Sequence, residues 1–240
     1  MGTRKRTAKT VRKCLPDDSL SQPLERSRLI VEYAHDSAQA LFEAFATVKK
    51  KRGAKRGTTT DEEQDLLRAM LVMAAAGVDS ALKELIRDAL PRIIDLDPDA
   101  QSELETFVTR QLRGESEPSG ASLGNKFLAR VLAAKSQQRQ VIEEYILDLT
   151  GVSLQSAEEL FRAVKALGLD PQAVGIDRKS LKPIFDVRNR VIHEMDINFG
   201  HPKRNRQTRS MGEMCEYTNS LLELIERIVV GVEKKLSEEV

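Results

Sequence analysis

The stretch TDEEQDLLRAMLVMAAAGVDSALKELIRDAL, Thr60 to Leu90, decides the fold. Thr60 followed three residues later by Glu63 has the form of a capping box, in which hydroxyl and carboxylate satisfy each other's free helical amides. Leu66, Leu67, Met70, Met73, Ala74, Val78, Leu82, Leu85, Ile86 and Leu90 then recur at helical spacing. One long helix is expected, with Pro91 perturbing its end.

The same period extends in both directions. From Pro23 to Val48, Leu29, Ile30, Tyr33, Ala34, Leu41, Phe42 and Phe45 outline another helix, closed by a loop over Lys49–Thr59 that contains Gly53 and Gly57. Asp99 to Leu112 reads as a shorter helix, Gly114 to Gly124 as a loop, and Phe127 to Leu149 as one further helix. Ser153 suits the cap of a helix ending at Leu167, with Gly168 as its stop. Ser180 begins another helix, extending to about residue 199. A polar basic loop follows at Gly200–Ser210, and a last helix carries Met214, Leu221, Ile225, Val229 and Leu236. No segment alternates convincingly as a strand, and no fixed-period repeat is evident. The expected fold is therefore all-α. Residues 1–22 are expected to form a flexible basic leader, and residues 23–240 a single helical domain.

Composition agrees with that class. The chain has 240 residues, aromatics make up only 4% and tryptophan is absent, while Leu, Ala, Glu, Lys and Arg are abundant. With 40% hydrophobic and 31% charged residues, a core and a soluble surface are both available. The formal net charge of +1 excludes a generic polyanion binder. Basic residues cluster in 1–13 and in Lys49–Arg56, where a solvated tail and loop are the plainer reading. Cys14 and Cys215 lack metal-like spacing, and no apolar run has membrane-span length, so a reduced, cytoplasmic setting without membrane contact is expected. The three histidines are scattered, and no phosphate-cradling glycine pattern occurs, so no metal or cofactor is expected.

The chemistry is concentrated in Phe185-Asp186-Val187-Arg188-Asn189-Arg190-Val191-Ile192-His193-Glu194. At about 100° per residue, Ile184, Phe185, Val187, Val191, Ile192 and Met195 share one arc, opposite Asp186, Asn189, Arg190 and His193. Arg188 falls inside the apolar arc. It must snorkel, pair with an acid on another helix, or emerge at an interface. Asp79 and Glu84 are both candidates to neutralise it or to orient His193. Arg188 and His193 stand about 140° apart on an ideal helix, so two copies around a symmetry axis would be one way to complete a shared cleft. The plainer reading makes Arg188 a tie through a carboxylate and His193 an ordinary surface residue. His35 reads as a helix-surface residue, and His201 as part of the basic loop.

Arg188-Asn189-Arg190-Val191-Ile192-His193 resembles the R-x4-6-H motif of the HEPN (higher eukaryotes and prokaryotes nucleotide-binding) superfamily, including its place before a final long helix. Gly77 to Pro91 is more loosely similar to an early helix of the RiboL-PSP-HEPN branch. The resemblance spans about residues 60–236. It implies a HEPN-like helical bundle that forms a homodimer and acts as a metal-independent endoribonuclease of toxin–antitoxin or antiviral defence type. A cognate antitoxin or defence-system protein would be its partner.

Under that resemblance His193 is the general acid or base, since imidazole exchanges a proton near neutral pH. Arg188 holds the scissile phosphate and stabilises developing charge, and Asn189 orients the histidine or the phosphate. Arg190, Lys203, Arg204 and Arg206 are the candidates for RNA binding. The 2′-hydroxyl would attack the adjacent phosphate, leaving a 2′,3′-cyclic phosphate and a 5′-hydroxyl. The other functional class is a noncatalytic helical module that binds RNA or a protein partner through the same surface.

Overall fold

A computed structural model describes residues 24–53, 59–113 and 121–237, with side chains in the third segment from residue 124 onward. The expected basic leader with Cys14, residues 54–58 of the first loop and residues 114–120 of the second lie outside the described residues. Eight helices are formed: α1 (Glu25–Lys51), α2 (Asp61–Leu96), α3 (Pro98–Arg113), α4 (Ala121–Ala133), α5 (Gln137–Thr150), α6 (Ala157–Ala166), α7 (Arg178–Glu194) and α8 (Met211–Ser237). The protein is all-α. Among the described residues the only β pairing is an isolated antiparallel bridge between Ile197 and Arg206.

α2 is the axis around which the others pack. It touches α1, α3, α5, α6, α7 and α8. Leu67, Met70, Leu71, Ala74, Leu82, Leu85, Ile86, Leu90 and Ile93 on it are fully buried. A helix that is apolar on most sides has to be wrapped in this way. The capping box forms as the sequence indicates: Glu63 N donates to Thr60 Oγ1 at 3.3 Å, and Thr60 N donates to Glu63 Oε2 at 3.1 Å. The other end departs from expectation, because α2 continues through Pro91 to Leu96. Ile93 and Ile94, both buried, give the extra turn and a half its hold, offsetting the backbone bond that proline cannot make.

α1 returns antiparallel along α2. Arg52 pairs with Glu63 at one end, and Ser27 Oγ donates to Ala81 O at 3.0 Å at the other. Between them the helices meet at Gly77, where an added Cβ would collide with the Ala34 methyl. Gly77→Ala is therefore expected to destabilise. An overpacking cost of about 1–3 kcal/mol exceeds the roughly 1 kcal/mol gained in helix propensity. A urea midpoint unchanged or raised in this variant would contradict that contact.

α8 runs beside α2 in the same direction, held by Gln64 to Arg209 at the start and Asp97 to Lys235 at the end. It buries Met214, Cys215, Leu221, Leu224, Ile225, Ile228 and Val232. α3, α4 and α5 form a side cluster in which Phe107 meets Phe127 edge-on at 6.1 Å and Tyr145 at 4.8 Å. Burial pushes the Tyr145 phenol up to about 12.

Two smaller boundaries differ from the sequence reading, and a third agrees with it. The Phe127–Leu149 pattern is two helices, broken where Ser136 accepts from Arg139 N and starts α5. Ser156, not Ser153, caps α6, accepting from Glu159 N at 3.1 Å. Gly168 does take the left-handed conformation, with φ 64°, just beyond α6. No described helix is long and apolar enough to cross a membrane.

The ion pairs at the start of α2 make stability depend on acid. Arg52 grips Glu63 through Nε to Oε1 at 2.9 Å and Nη2 to Oε2 at 3.0 Å, and holds that carboxyl below its ordinary value. Arg206, with Arg68, does the same to Asp65. A depressed folded-state pKa contributes stability that is complete above the unfolded value, near 4. That stability is lost as pH falls through the folded values. Urea unfolding between pH 7 and pH 3 is expected to show a falling midpoint below about pH 4.3, with a shallower fall in Glu63→Gln.

Candidate active site at the end of helix α7

α7 starts at Arg178, two residues before the Ser180 that the sequence suggested. Asp177 is its cap, with its carboxylate accepting from Lys179 N and Ser180 N, each at 3.1 Å. These bonds pull the Asp177 carboxyl below its ordinary range. Leu181, Ile184, Phe185 and Val187 are buried, as the apolar arc requires. The helix stops at Glu194, about a turn short of the sequence estimate. Met195 and Asp196 both turn left-handed, with φ 52° and 59°, and Asp196 N closes onto Arg190 O at 2.9 Å. The arc therefore loses its cover: Val191 is partly buried, while Ile192 and Met195 are exposed.

Arg188 is half-buried and faces α2. Its Nη1 donates to Asn189 Oδ1 at 2.8 Å, while its Nε is buried without a hydrogen-bond partner among the described residues. Burial pulls the guanidinium below its ordinary value, and the charge of Asp79 on α2 opposes that pull. So Asp79, not Glu84, is the acid that Arg188 sees. Glu84 is engaged with Arg26 and Arg87 instead. Asp79 does not close on Arg188, because its oxygens are held by Lys83 Nζ at 3.0 Å and Leu154 N at 2.6 Å. The result is a charged arginine with donors to spare.

His193 is exposed and makes no hydrogen bond among the described residues. Asn189 precedes it by four residues and Arg190 by three, so both share its face of the helix. Arg190 is half-buried and pairs with no carboxylate among the described residues. Asp186, on the same side, is bound to Lys182 at 2.6 Å. Because α7 is regular through this turn, Arg188 and His193 stay about 140° apart around its axis. One helix brings Asn189, Arg190 and His193 together but leaves Arg188 turned toward α2.

The polar loop beyond α7 holds what the sequence did not reveal. Asp196 is fully buried and accepts from Arg68 Nε at 3.1 Å, Arg209 Nε at 3.0 Å and Arg209 Nη2 at 2.6 Å. Arg68 also donates to Gln207 O at 2.7 Å, and Gln64 exchanges two hydrogen bonds with the Arg209 backbone at 2.9 and 2.7 Å. Asp196 in turn raises the Arg209 guanidinium above its ordinary value. Arg206 is committed too, donating Nε to Met195 O at 2.9 Å and pairing with Asp65 at 2.7 Å. Lys203 and Arg204 are exposed with no acid partner among the described residues. One sequence signal did point to Asp196: it is the last acid before a run from 197 to 212 that has four basic residues and no Asp or Glu.

No protein-family model, curated protein or solved structure matches the chain. The site must therefore be judged on its own chemistry. Among the described residues no group of three or more His, Cys, Asp or Glu side chains is arranged to hold a metal ion. His35 lies largely buried, not on the surface, with Nδ1 3.3 Å from Asp36 Oδ1 and Nε2 without a partner. His201 accepts from Lys203 N through Nδ1 at 3.2 Å, which stabilises the backbone of the loop tip. Three clefts of about 520–660 Å³ are lined by α2, α3, α5, α8 and the α6–α7 connection, and these three do not include Arg188 or His193.

Proposed function

We propose that the protein is a HEPN-like, metal-independent endoribonuclease in which His193 acts as general acid or base and Arg188 binds the scissile phosphate. The observation that carries this reading is the state of Arg188. Its guanidinium is half-buried, its Nε has no partner among the described residues, and Asp79, the acid whose charge acts on it, is bound by Lys83 and Leu154. A native structure rarely leaves such a donor orphaned, and a phosphate oxygen would satisfy it through charge-assisted bonds. Asn189 orients that guanidinium through its side-chain oxygen. Arg190 adds positive charge beside the imidazole.

The 140° between Arg188 and His193 favours a site shared by two copies, each offering one group to the other's cleft. In the reaction the imidazole takes the 2′-hydroxyl proton, and the oxygen attacks phosphorus. The P–O5′ bond breaks and the 5′-oxygen leaves with a proton from an imidazolium or from water, giving a 2′,3′-cyclic phosphate and a 5′-hydroxyl. The test is incubation of labelled RNA with the purified protein in excess EDTA. Cleavage with cyclic-phosphate ends, absent for DNA and lost in His193→Ala, is the expected result. RNA binding without cleavage would instead favour a noncatalytic module.

A further inference from the structure

Residues 195–210 form an ordered arm, not a slack connection. Its sides are joined by Gln207 N to Asp196 O at 2.8 Å, Asn198 N to Asn205 O at 3.0 Å and the Ile197–Arg206 bridge. Asp196, Arg206 and Arg209 anchor its base to α2. The tip is stabilised by its own bonds: Gly200 N to Asn198 Oδ1 at 3.2 Å, Arg204 N to His201 O at 2.9 Å and Lys203 N to His201 Nδ1 at 3.2 Å. That ordered tip presents Phe199 to solvent, 60% exposed, with Lys203 and Arg204 four and five residues further on within the same tip, which the Asn198–Asn205 bond closes.

Of the four basic residues between 197 and 212, Arg206 and Arg209 are neutralised by Asp65 and Asp196. The two at the tip are not. An exposed aromatic ring beside unpaired cations is the combination that holds single-stranded nucleic acid, because a base stacks on the ring while phosphates meet the charges.

We infer that Phe199 is a stacking platform for an unpaired base, with Lys203 and Arg204 holding the adjoining phosphates, so that the substrate class is single-stranded RNA. The inference rests on the RNA-cleaving reading above. Phe199 lies six residues beyond His193, on the arm that directly follows α7. On that reading the stacked base belongs to a nucleotide close in the strand to the one that is cut. A duplex has no free base face to offer, since its bases are already stacked on one another. The competing occupant is a second copy covering Phe199, Ile192 and Met195. A two-fold contact through this tip would bring like charges together, which disfavours it.

The experiment measures fluorescence anisotropy of a labelled single-stranded oligoribonucleotide, and of the same strand annealed to its complement. The full chain carries His193→Ala so that the RNA stays intact. Adding Phe199→Ala is expected to weaken single-strand binding by about 5- to 100-fold. Phe199→Tyr should keep the affinity to within about two-fold, and Lys203→Ala with Arg204→Ala should flatten the salt dependence. Single-strand binding indifferent to Phe199, duplex bound as tightly as single strand, or no binding to either form overturns the inference. So does conversion of a dimer to a monomer by Phe199→Ala, seen by sedimentation, with RNA affinity unchanged. If Phe199-dependent binding persists but the wild type never cuts RNA, the platform stands and the nuclease reading falls.

Discussion

Arg188→Ala and His193→Ala are expected to reduce RNA cleavage by about 10²–10³-fold and 10²–10⁴-fold respectively, the usual worth of a charge-stabilising donor and of a positioned acid–base group. The double variant should be little worse than the poorer single one, because groups acting on one phosphate fail as a unit. Stability separates this role from a merely structural one. If Arg188 tied α7 to α2, removing it would loosen the bundle. It has an orphaned Nε and an already occupied acid opposite, so Arg188→Met should leave the urea midpoint unchanged or raise it. A destabilised Arg188→Met that still cleaves RNA would falsify the assignment. Arg188→Lys keeps the charge but loses the planar fork, and should recover only part of the rate.

Asp196→Ala is expected to be the most destabilising single change near the site. It leaves Arg68 and Arg209, exposed by only 3% and 7%, without their shared carboxylate. Breaking a buried ion pair by deleting one partner costs about 3–5 kcal/mol. In a chain of this size that corresponds to a fall in melting temperature of about 6–20 °C. Asp196→Asn keeps the shape but not the charge and should fall between wild type and alanine. A double-mutant cycle with Arg209→Ala measures the coupling directly. Additive effects would mean that the buried carboxylate is not the shared anchor.

How much of this was legible depended on how local each signal was. Thr60 and Glu63 announce the start of α2 because both halves of the capping box lie within four residues. The end of the same helix was misread because Pro91 is a strong local signal. The burial of Ile93 and Ile94 that overrides it is set by the rest of the bundle. The break at Ser136 was hidden because apolar residues on its two sides keep nearly the same period across it. The polar face of α7 followed from periodicity alone, and so did the anomaly of Arg188. What periodicity cannot supply is the partner. Asp79 lies 109 positions before Arg188, and Arg68 lies 128 before Asp196.

α2 contributes none of the proposed reacting groups, yet it governs both ends of the site. Asp79 on its middle turns sits opposite the Arg188 guanidinium, and Gln64 and Arg68, three to four turns earlier, fasten the arm that follows His193. The axial rise between those positions acts as a ruler built into the backbone, about 1.5 Å per residue. An insertion or deletion of a single residue in α2 between Arg68 and Asp79 would rotate one anchor by about 100° relative to the other. Every residue of the proposed site would keep its identity while the alignment between its two halves was lost.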